Sequence, residues 1–458
     1  MDFLKNLPSD QITFIVINIF ILLLGFSMRY VKGRRIRLLY SLIPGIVFQY
    51  LLYGSSCVHL VISFVINLLI MKKFPREKLG KISLIYNFIH NSLIHLIRIL
   101  IEEASWKIEI SSIFMINTLK FTAFAISFSN YVKHNLNKEQ ERYKIKDFSI
   151  LEIASYISFF PTSVCGPFME YNDFIDFIEE KKEYSNIPYT YYRTVKRFFE
   201  AIILAIINFA LGNFGTAEKV IDHNGQYNVL QRCLFFYLSW FSLYKYFAGF
   251  SFCEAGILAT GFAYEGKVKN EEGKEIEVFD RARAIDFIRV STIYCPSFFF
   301  RYWNISVHVW LKRYLYTSLL PDNATNNQKQ VAASKTFFVS AFWHGFNLTY
   351  FVTFSHFFFL NFLENQIRLI WKNLSTETQE KLEKMRATNV SAVILNILMF
   401  PYHCLLWQSL ELNTLLKLME ATYYIGSIAI FVPNIFCYLY INFLMRKKLR
   451  DSSNKKRD

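Results

Sequence analysis

Charged residues are scarce in this chain, and their scarcity excludes a water-soluble globule of ordinary proportions. Only 19% of the residues are charged, whereas 53% are hydrophobic and 18% are aromatic, with 48 phenylalanines among them. A soluble domain has a larger polar share than this. Composition therefore predicts an integral membrane protein.

Cysteine motifs are also missing. The seven cysteines are odd in number, scattered through apolar segments, and contain no Cys-x-x-Cys pair. This pattern favours neither a disulfide framework nor a zinc site, and it predicts small core residues instead. They are Cys57, Cys165, Cys233, Cys253, Cys295, Cys404 and Cys437.

The signatures of several enzyme classes are absent as well. There is no Gly-x-Ser-x-Gly nucleophile turn and no Gly-rich phosphate loop. None of the nine histidines has an Asp five positions later, the spacing of soluble-type glycerolipid acyltransferases. His90 and His95 form the only close histidine pair, so the histidine clusters that a di-iron centre needs are lacking. Serine and metal chemistry are not predicted, and no metal site or cofactor is expected.

The chain shows no fixed-period repeat and no Gly/Ser or Pro linker, which predicts a single domain over residues 1–458. Its formal net charge of +15 is concentrated in short loops beside apolar segments, as in Lys72–Lys78. Such clusters are typical of loops facing anionic cytosolic leaflets rather than of nucleic-acid binding. The basic tail, residues 446–458, predicts a cytosolic C-terminus.

Apolar segments of about 20 residues are long enough to span a bilayer as helices. We predict an all-α, polytopic transmembrane helical bundle of about nine to eleven membrane helices, with re-entrant segments, around a buried catalytic chamber. The predicted spans are residues 11–29, 37–53, 57–71, 83–101, 111–129, 198–213, 228–248, 284–300, 335–362, 388–408 and 422–445.

Two kinds of polar or irregular feature interrupt these apolar segments. Residues 155–171 contain Pro161, Gly166 and Pro167, which cannot continue a straight helix, so we predict a broken or re-entrant segment lining a cavity. In the N-terminal half, His90, Asn91, His95 and Arg98 are interpreted as polar faces packed between helices, with no assigned role.

His344 is an ionisable side chain in an otherwise lipid-spanning sequence. Such groups are costly in a membrane and need a partner or a function. One interpretation is a structural histidine bonded to a backbone carbonyl. The other is a catalytic residue, favoured by Trp343 beside it, by Gly345, which permits close backbone approach, and by the polar residues of the following turn.

Asn304 is the second candidate. On a helix, Asn304, His308 and Lys312 would share one face, beside an aromatic stripe of Trp303 and Trp310. Lys312 and Arg313 could then meet a phosphate near the membrane surface. Each residue also has a structural explanation, as an interhelical hydrogen-bonding group, an interfacial cation or an aromatic-belt residue.

A neutral imidazole kept from bulk water can take a proton from a hydroxyl group, and a nearby amide can orient that hydroxyl or stabilise an oxyanion. These two groups are sufficient for acyl transfer to an alcohol without a covalent enzyme intermediate. His344 and Asn304 are therefore predicted to carry the chemistry.

Four stretches resemble the membrane-bound O-acyltransferase family, and within it the lysophospholipid acyltransferases. The ordered match covers about residues 150–360. The matching stretches are Phe159–Pro161 with Gly166–Phe174, Glu254–Gly266 with Phe279–Arg281, Trp303–Asn304 with Trp310–Tyr316, and Ser340–Gly345.

The resemblance implies a helical membrane enzyme whose chamber opens to both leaflets. Acyl-CoA would act as co-substrate from the cytosol and a lysophospholipid would come from the bilayer, with His344 as base and Asn304 as its positioning partner. Asn347–Tyr350 departs from the Gly-Tyr ending common in the family. No Trp-Trp-Asn signature of sterol and diacylglycerol acyltransferases is present. The predicted substrate-binding residues are Trp303, Trp343, His308, Lys312, Arg313, Glu170 and Tyr171.

Two alternatives stay open from the sequence: a protein or peptide O-acyltransferase acting in the lumen, and a polytopic transporter whose polar residues line a permeation path. The last four residues, Lys455–Asp458, resemble a dilysine retrieval signal of the endoplasmic reticulum. The predicted location is the endoplasmic-reticulum membrane.

Overall fold

The fold is that of a computed structural model, which describes residues 9–101, 108–130, 141–222, 224–292, 295–384, 394 and 398–454. Helices form nearly all of the regular structure in these residues. The exception is one antiparallel hairpin of β1 (Gly266–Lys269) and β2 (Glu275–Val278), in which Val268 lies opposite Ile276. The prediction of an all-α fold is confirmed.

Five long helices form the N-terminal part. They are α1 (Ser9–Ser27), α2 (Arg34–Tyr53), α3 (Val58–Lys73), α4 (Arg76–Ile101) and α5 (Ile110–Asn130). The loops that join the first four are only a few residues long, so consecutive helices run in opposite directions. Helix α5 packs against α4 and is buried along most of its length. It therefore forms the centre of this half.

The remaining helices are mostly shorter. They are α6 (Ile150–Ile157), α7 (Tyr171–Ile178), α8 (Tyr191–Leu211), α9 (Ala217–Ile221), α10 (Val229–Leu238), α11 (Tyr244–Thr260), α12 (Phe287–Ser291), α13 (Pro296–Trp303), α14 (Ile305–Trp310), α15 (Asn326–His344), α16 (Leu348–Trp371), α17 (Thr376–Lys384), α18 (Phe400–Gln408), α19 (Leu412–Ala421) and α20 (Ile425–Asn454). The closest packing joins α8 to α11, α15 to α16 and α16 to α20.

Five helical segments within the described part of the chain are long and apolar enough to cross a membrane. They are Ser9–Tyr30, Arg34–Lys73, Ile110–Asn130, Tyr191–Ile221 and Ile425–Leu444. Large apolar side chains on their outer surfaces, such as Leu23, Ile43 and Phe436, are exposed. Lipid contact explains that exposure, and the protein is a multi-pass membrane protein.

Three predicted spans are divided, for identifiable reasons. Span 335–362 is broken at Gly345, whose φ of 122° ends α15. Span 284–300 is broken before Pro296, which begins α13. Span 228–248 passes through a 3₁₀ turn in which the Ser239 hydroxyl donates to the Phe236 and Pro401 carbonyls. In each case local backbone chemistry outweighs the continuity of the apolar run.

Two other predicted segments fall partly outside the described residues. The start of span 388–408 lies there, whereas its end forms α18. The dilysine-like residues Lys455 and Lys456 also lie outside them.

Residues 155–171 enter and leave the bundle from the same end. The descent follows α2: Ser155 donates to the Leu38 carbonyl, Gln49 donates to the Ser163 carbonyl, and Tyr53 bonds the Val164 carbonyl. The return passes α14, where the Phe168 amide donates to Ser306 Oγ at 3.2 Å. The predicted re-entrant segment is present, although Cys165 is the part of it that lines the main cavity.

Ion pairs connect the loops at one end of the bundle. Arg34 binds Glu152 and Glu179, and Arg281 binds Asp173 and Glu183. Burial alone would lower the pKa of Arg281, but Tyr184, Asp173 and Glu183 raise it above its ordinary value, so this guanidinium stays charged.

We call this end the basic face; it comprises the loops at residues 28–37, 72–81, 141–149, 170–190, 264–283 and 312–330. Lysine and arginine are frequent in these loops, with Lys72, Lys73, Arg76 and Lys78 in one of them alone. The opposite connection at residues 54–57 has none.

Candidate active site

One large cavity, called the chamber here, runs through the helical bundle. Its volume is about 2030 Å³, and side chains from both halves of the chain line it. Pockets for single drug-sized ligands are typically about 300–1,000 Å³. The chamber is therefore large enough to hold two extended substrates at once.

His344 is the last residue of α15 and faces the chamber. The helix ends there because Gly345 takes a positive φ of 122°, a conformation that side chains strongly disfavour. The imidazole is enclosed by aromatic rings, stacked on Phe354 at 5.2 Å and edge-on to Trp407 at 4.9 Å. These contacts fix the plane of the ring.

The ring nitrogens of His344 make no hydrogen bond to any protein group in the described residues, so it is not the carbonyl-bonded structural histidine that was the alternative interpretation. A side chain held by packing, with its polar atoms left for another molecule, is typical of a functional position. The imidazole can accept a proton from a hydroxyl group bound in the chamber.

Asn304 also lines the chamber, but not on a continuous helix. It separates α13 from α14, with φ of −138° and ψ of 81°, and its Oδ1 accepts the Val307 amide at 3.4 Å. This cap uses the oxygen of the carboxamide. Across the described chain, its Nδ2 donates to no protein acceptor. The amide N–H group is thus available to a ligand.

A buried carboxylate holds the Asn304 turn in place. Glu254 Oε1 accepts the Ile285 amide at 2.8 Å, and Glu254 Oε2 is paired with Arg197. One residue earlier, the Ala284 carbonyl accepts the Ile305 amide at 2.7 Å. Glu254 belongs to the second of the four matching stretches, so that motif supports the Asn304 position from behind.

The structure brings most of the predicted site residues to the chamber wall. They are His344, Asn304, Trp303, Trp343, His308 and Lys312. The helix breaks at Asn304, which is the N-cap of α14, and the His308 amide donates to the Asn304 carbonyl at 2.8 Å. Asn304, His308 and Lys312 therefore follow one another along the chamber wall, whereas the predicted aromatic stripe is divided. Trp303 instead stacks on Phe299 at 5.4 Å in α13, while Trp310 is buried in α14 against the Leu119 carbonyl.

The other three predicted residues are not on the chamber wall. Arg313 forms an ion pair with Glu170, whose Oε2 also accepts the Tyr314 hydroxyl at 2.7 Å. Tyr171 donates to Glu152 and packs on Phe124. These residues brace the return of the re-entrant segment, and no geometry of the described structure supports their binding a substrate.

The pKa of Glu170 is raised to about 7, because burial and the nearby Asp173 carboxylate raise it more than Arg313 and Tyr314 lower it. The carboxylate has both a guanidinium and a hydroxyl within bonding distance, and such partners favour the charged form.

Sequence reasoning missed a polar face of α16. Asn361, Asn365, Arg368 and Lys372 line the chamber at helical spacing and lead from its interior toward the basic face. Lys329 on α15 joins them there. The spacing of these residues in the sequence could have predicted this face, because polar residues three and four positions apart in an otherwise aromatic segment lie on one side of a helix.

The chamber also has a polar end away from the basic face. Asp10, Arg98 and Glu109 line it, and Arg98 pairs with Glu109. Asp10 accepts the Ile108 amide at 2.9 Å. Within the described residues, no group of three or more His, Cys, Asp or Glu side chains is arranged to hold a metal ion. The chamber thus joins a cationic end to a mixed polar end, with His344 and Asn304 on its walls.

Comparison with known proteins identifies the family of this chain. A sequence profile of the membrane-bound O-acyltransferase family matches residues 79–407, which include both Asn304 and His344. The chain belongs to this family. The match extends beyond residues 150–360, the motif-bearing core of the sequence analysis.

Individual members of the family are similar over most of the chain. "Lysophospholipid acyltransferase 2" of Arabidopsis thaliana is 24% identical over 442 residues, covering 91% of this chain and 90% of the relative. "Membrane-bound glycerophospholipid O-acyltransferase 2" of Mus musculus is 24% identical over 376 residues, covering 76% and 70%. "Lysophospholipid acyltransferase" of Saccharomyces cerevisiae is 22% identical over 324 residues, covering 65% and 52%.

Proposed function

We propose that this protein transfers a fatty acyl group from acyl-CoA to the free hydroxyl of a lysophospholipid. The observation that carries the proposal is that His344 and Asn304 line one chamber large enough for two lipidic substrates. Within the described residues, the His344 ring nitrogens and the Asn304 amide N–H group bind no protein group. Membership of an O-acyltransferase family, and relatives named for lysophospholipid acylation, support it.

The reaction follows from these two groups. The lysophospholipid hydroxyl donates to His344 and attacks the thioester carbonyl carbon, while His344 takes the hydroxyl proton. The oxyanion that forms accepts a hydrogen bond from Asn304 Nδ2. Its collapse forms the ester, breaks the carbon–sulfur bond, and returns the proton from His344 to the leaving thiolate. No cofactor is needed besides acyl-CoA as co-substrate.

Positioning and proton transfer can account for the rate. Holding two substrates in an attack geometry supplies about 7–11 kcal/mol of the barrier in well-oriented cases. General base catalysis adds about 10²- to 10⁴-fold. The aromatic enclosure of His344 by Phe354 and Trp407 excludes water, which would otherwise compete with the lipid hydroxyl as acceptor.

Acyl-CoA is proposed to bind with its phosphates at the basic face. Lys312, Lys329, Arg368 and Lys372 line that end of the chamber, with Arg301 deeper in the same cavity. Phosphate groups are strong acceptors for such cations. Arg368 is the weakest member of this set, because its guanidinium is paired with Glu364. Arg313 is left out because it is bound to Glu170 and does not line the chamber.

The basic face is proposed to lie in the cytosol, where acyl-CoA and anionic leaflets occur. Short loops rich in lysine and arginine remain on the cytosolic side of membranes. Helix α20 runs from the opposite side toward this face and ends in basic residues, which supports the proposed cytosolic C-terminus. The endoplasmic-reticulum membrane is the location proposed from the terminal lysines.

The test is purified protein with labelled acyl-CoA and a panel of lysophospholipids. Lipid product that is lost in His344→Ala and Asn304→Ala, with both variants folded, supports the proposal. Labelled peptide instead of lipid would indicate a peptide acyltransferase. Solute flux in proteoliposomes, without any acylated product, would indicate a transporter and overturn the proposal.

A further inference from the structure

Helix α4 lies directly against the turn that carries His344. Asn91 Nδ2 donates to the Trp343 carbonyl at 2.9 Å. The His95 ring is packed on Gly345, so a Cβ at Gly345 would come within 3.0 Å of its Cγ and 3.2 Å of its Nδ1. His95 also lines the chamber. Two residues one helical turn apart on α4 therefore contact the residues on either side of His344.

This turn needs external support because it ends a helix. The last four carbonyl groups of a helix have no partner within it, and Gly345 leaves α15 at a positive φ. Asn91 satisfies the Trp343 carbonyl, and the Trp343 indole donates to the Met115 carbonyl of α5 at 3.0 Å. The Trp343–Gly345 turn is thus held from two neighbouring helices.

The groups on α4 are not fully used by this packing. Asn91 Oδ1 and His95 Nε2 are buried and have no hydrogen-bond partner in the part of the chain that is described. Asn91 is 0% exposed and His95 is 7% exposed. Buried polar atoms in proteins are nearly always bonded, so these two atoms have hydrogen-bonding capacity that the packing of α4 leaves unused.

We propose that His95, assisted by Asn91, is a positioning residue for the reaction of His344. The pair fixes the Trp343–Gly345 turn so that the His344 imidazole stays in line with the bound hydroxyl group. This inference rests on the proposed acyltransferase function. Misplacing a catalytic group by about 1 Å can lower the rate about 100-fold, so small movements of this turn matter.

A matched control lies on the same helix. His90 is also buried, but its Nδ1 bonds the Tyr86 hydroxyl at 2.9 Å and its ring packs on Phe114 at 4.6 Å. It is not among the residues that line the chamber. Replacing His90 removes a buried histidine from α4 without touching the His344 turn.

The experiment compares His95→Ala, His95→Asn and His90→Ala in the purified, full-length protein. In His95→Ala, kcat should fall about 10- to 100-fold, while KM for acyl-CoA and for the lysophospholipid stays near the wild-type value. His95→Asn should recover part of kcat, because its planar polar side chain still packs against the Gly345 turn, which alanine cannot reach. His90→Ala should keep kcat close to wild type.

The outcomes separate this inference from the proposed function. If wild-type protein acylates no lysophospholipid, the function itself is wrong. If wild type is active and His95→Ala keeps its kcat, or changes only KM, the positioning role is overturned. Thermal unfolding checks that each variant is folded. Should His95→Ala fail to fold, His95→Asn and His95→Gln decide: full kcat in both would overturn the proposal.

Discussion

Asn304 has two separable roles, one for each end of its carboxamide. The oxygen caps α14 by accepting the Val307 amide, whereas the Nδ2 group is directed to no protein acceptor in the described chain. Asp is as good a helix cap as Asn but cannot donate a hydrogen bond when ionised. A single substitution can therefore remove the donor and keep the cap.

Asn304→Asp should lower kcat by about 10²- to 10³-fold, the usual loss for one oxyanion donor, with little change in the unfolding temperature. Asn304→Ala should lose both the activity and about 1 kcal/mol of stability from the missing cap. Steady-state acyl transfer and thermal unfolding measure the two effects. Equal activity of the Asp variant and wild type would contradict the oxyanion role.

His344 shows what a single residue in the sequence can reveal. An ionisable group in an apolar segment predicted a functional site, and at the chamber wall its nitrogens bind no group of the described residues. Arg313 shows the limit of that reasoning. The sequence around Arg313 did not predict its ion pair with Glu170, which lies well over a hundred positions earlier in the chain. Pairing between distant segments is decided by tertiary packing.

At the scale of elements, α15 and α16 form the cationic wall of the chamber. Lys329→Gln should raise KM for acyl-CoA about fivefold, equivalent to about 1 kcal/mol for one partly exposed charge pair. The effect should shrink at high ionic strength because salt screens exposed charges. Lys335→Gln is the control, since Lys335 is exposed on the same helix but does not line the chamber. Equal KM values for both variants would contradict the phosphate role.

The re-entrant segment depends on a different set of charges. Glu170→Ala removes the acceptor of both Arg313 and Tyr314. All three side chains are largely buried. Breaking a buried pair in this way costs about 3–5 kcal/mol, so the unfolding temperature in detergent should fall clearly. Glu377→Ala, which breaks an exposed pair with Lys381 on α17, should cost less than about 1 kcal/mol. Similar shifts in both variants would contradict this account.

Hydropathy predicted the long N-terminal helices because each is a continuous apolar run with a basic loop at one end. It failed in the second half, where α12 to α14 are short and the span that forms α15 and α16 is broken at Gly345. There the helices break at Pro296, Asn304 and Gly345. Asn304 is itself a candidate site residue, and Gly345 directly follows His344. Irregular backbone at membrane depth is tolerated where it lines a cavity, which hydropathy does not measure.

At the scale of the whole molecule, the direction of the chamber determines which substrate comes from which side. Its cationic end opens at the basic face, beside the loops that carry most of the ion pairs, and its mixed polar end lies near Asp10 and Glu109. A cytosolic basic face would bring acyl-CoA to Lys329 and leave the other end to the lipid acceptor. Membrane orientation is therefore part of the mechanism.

Native glycosylation sequences can test this orientation. Asn323-Ala-Thr lies in a loop of the basic face, and Asn373-Leu-Ser follows the end of α16 on the same side; both asparagines are exposed. They should carry no glycan in a eukaryotic host, because glycosylation occurs in the lumen. Gln226→Thr creates an acceptor at the exposed Asn224, in the opposite loop between α9 and α10, and this variant should be glycosylated. Gel mobility with and without glycosidase measures both.

A C-terminal epitope provides the independent control, because antibody should reach it in cells whose plasma membrane alone is permeabilised. A glycan at Asn323 or Asn373, or an epitope protected inside the lumen, would reverse the orientation. The cations of α15 and α16 would then face away from the acyl-CoA pool, and the chamber would have to load both substrates from the other end.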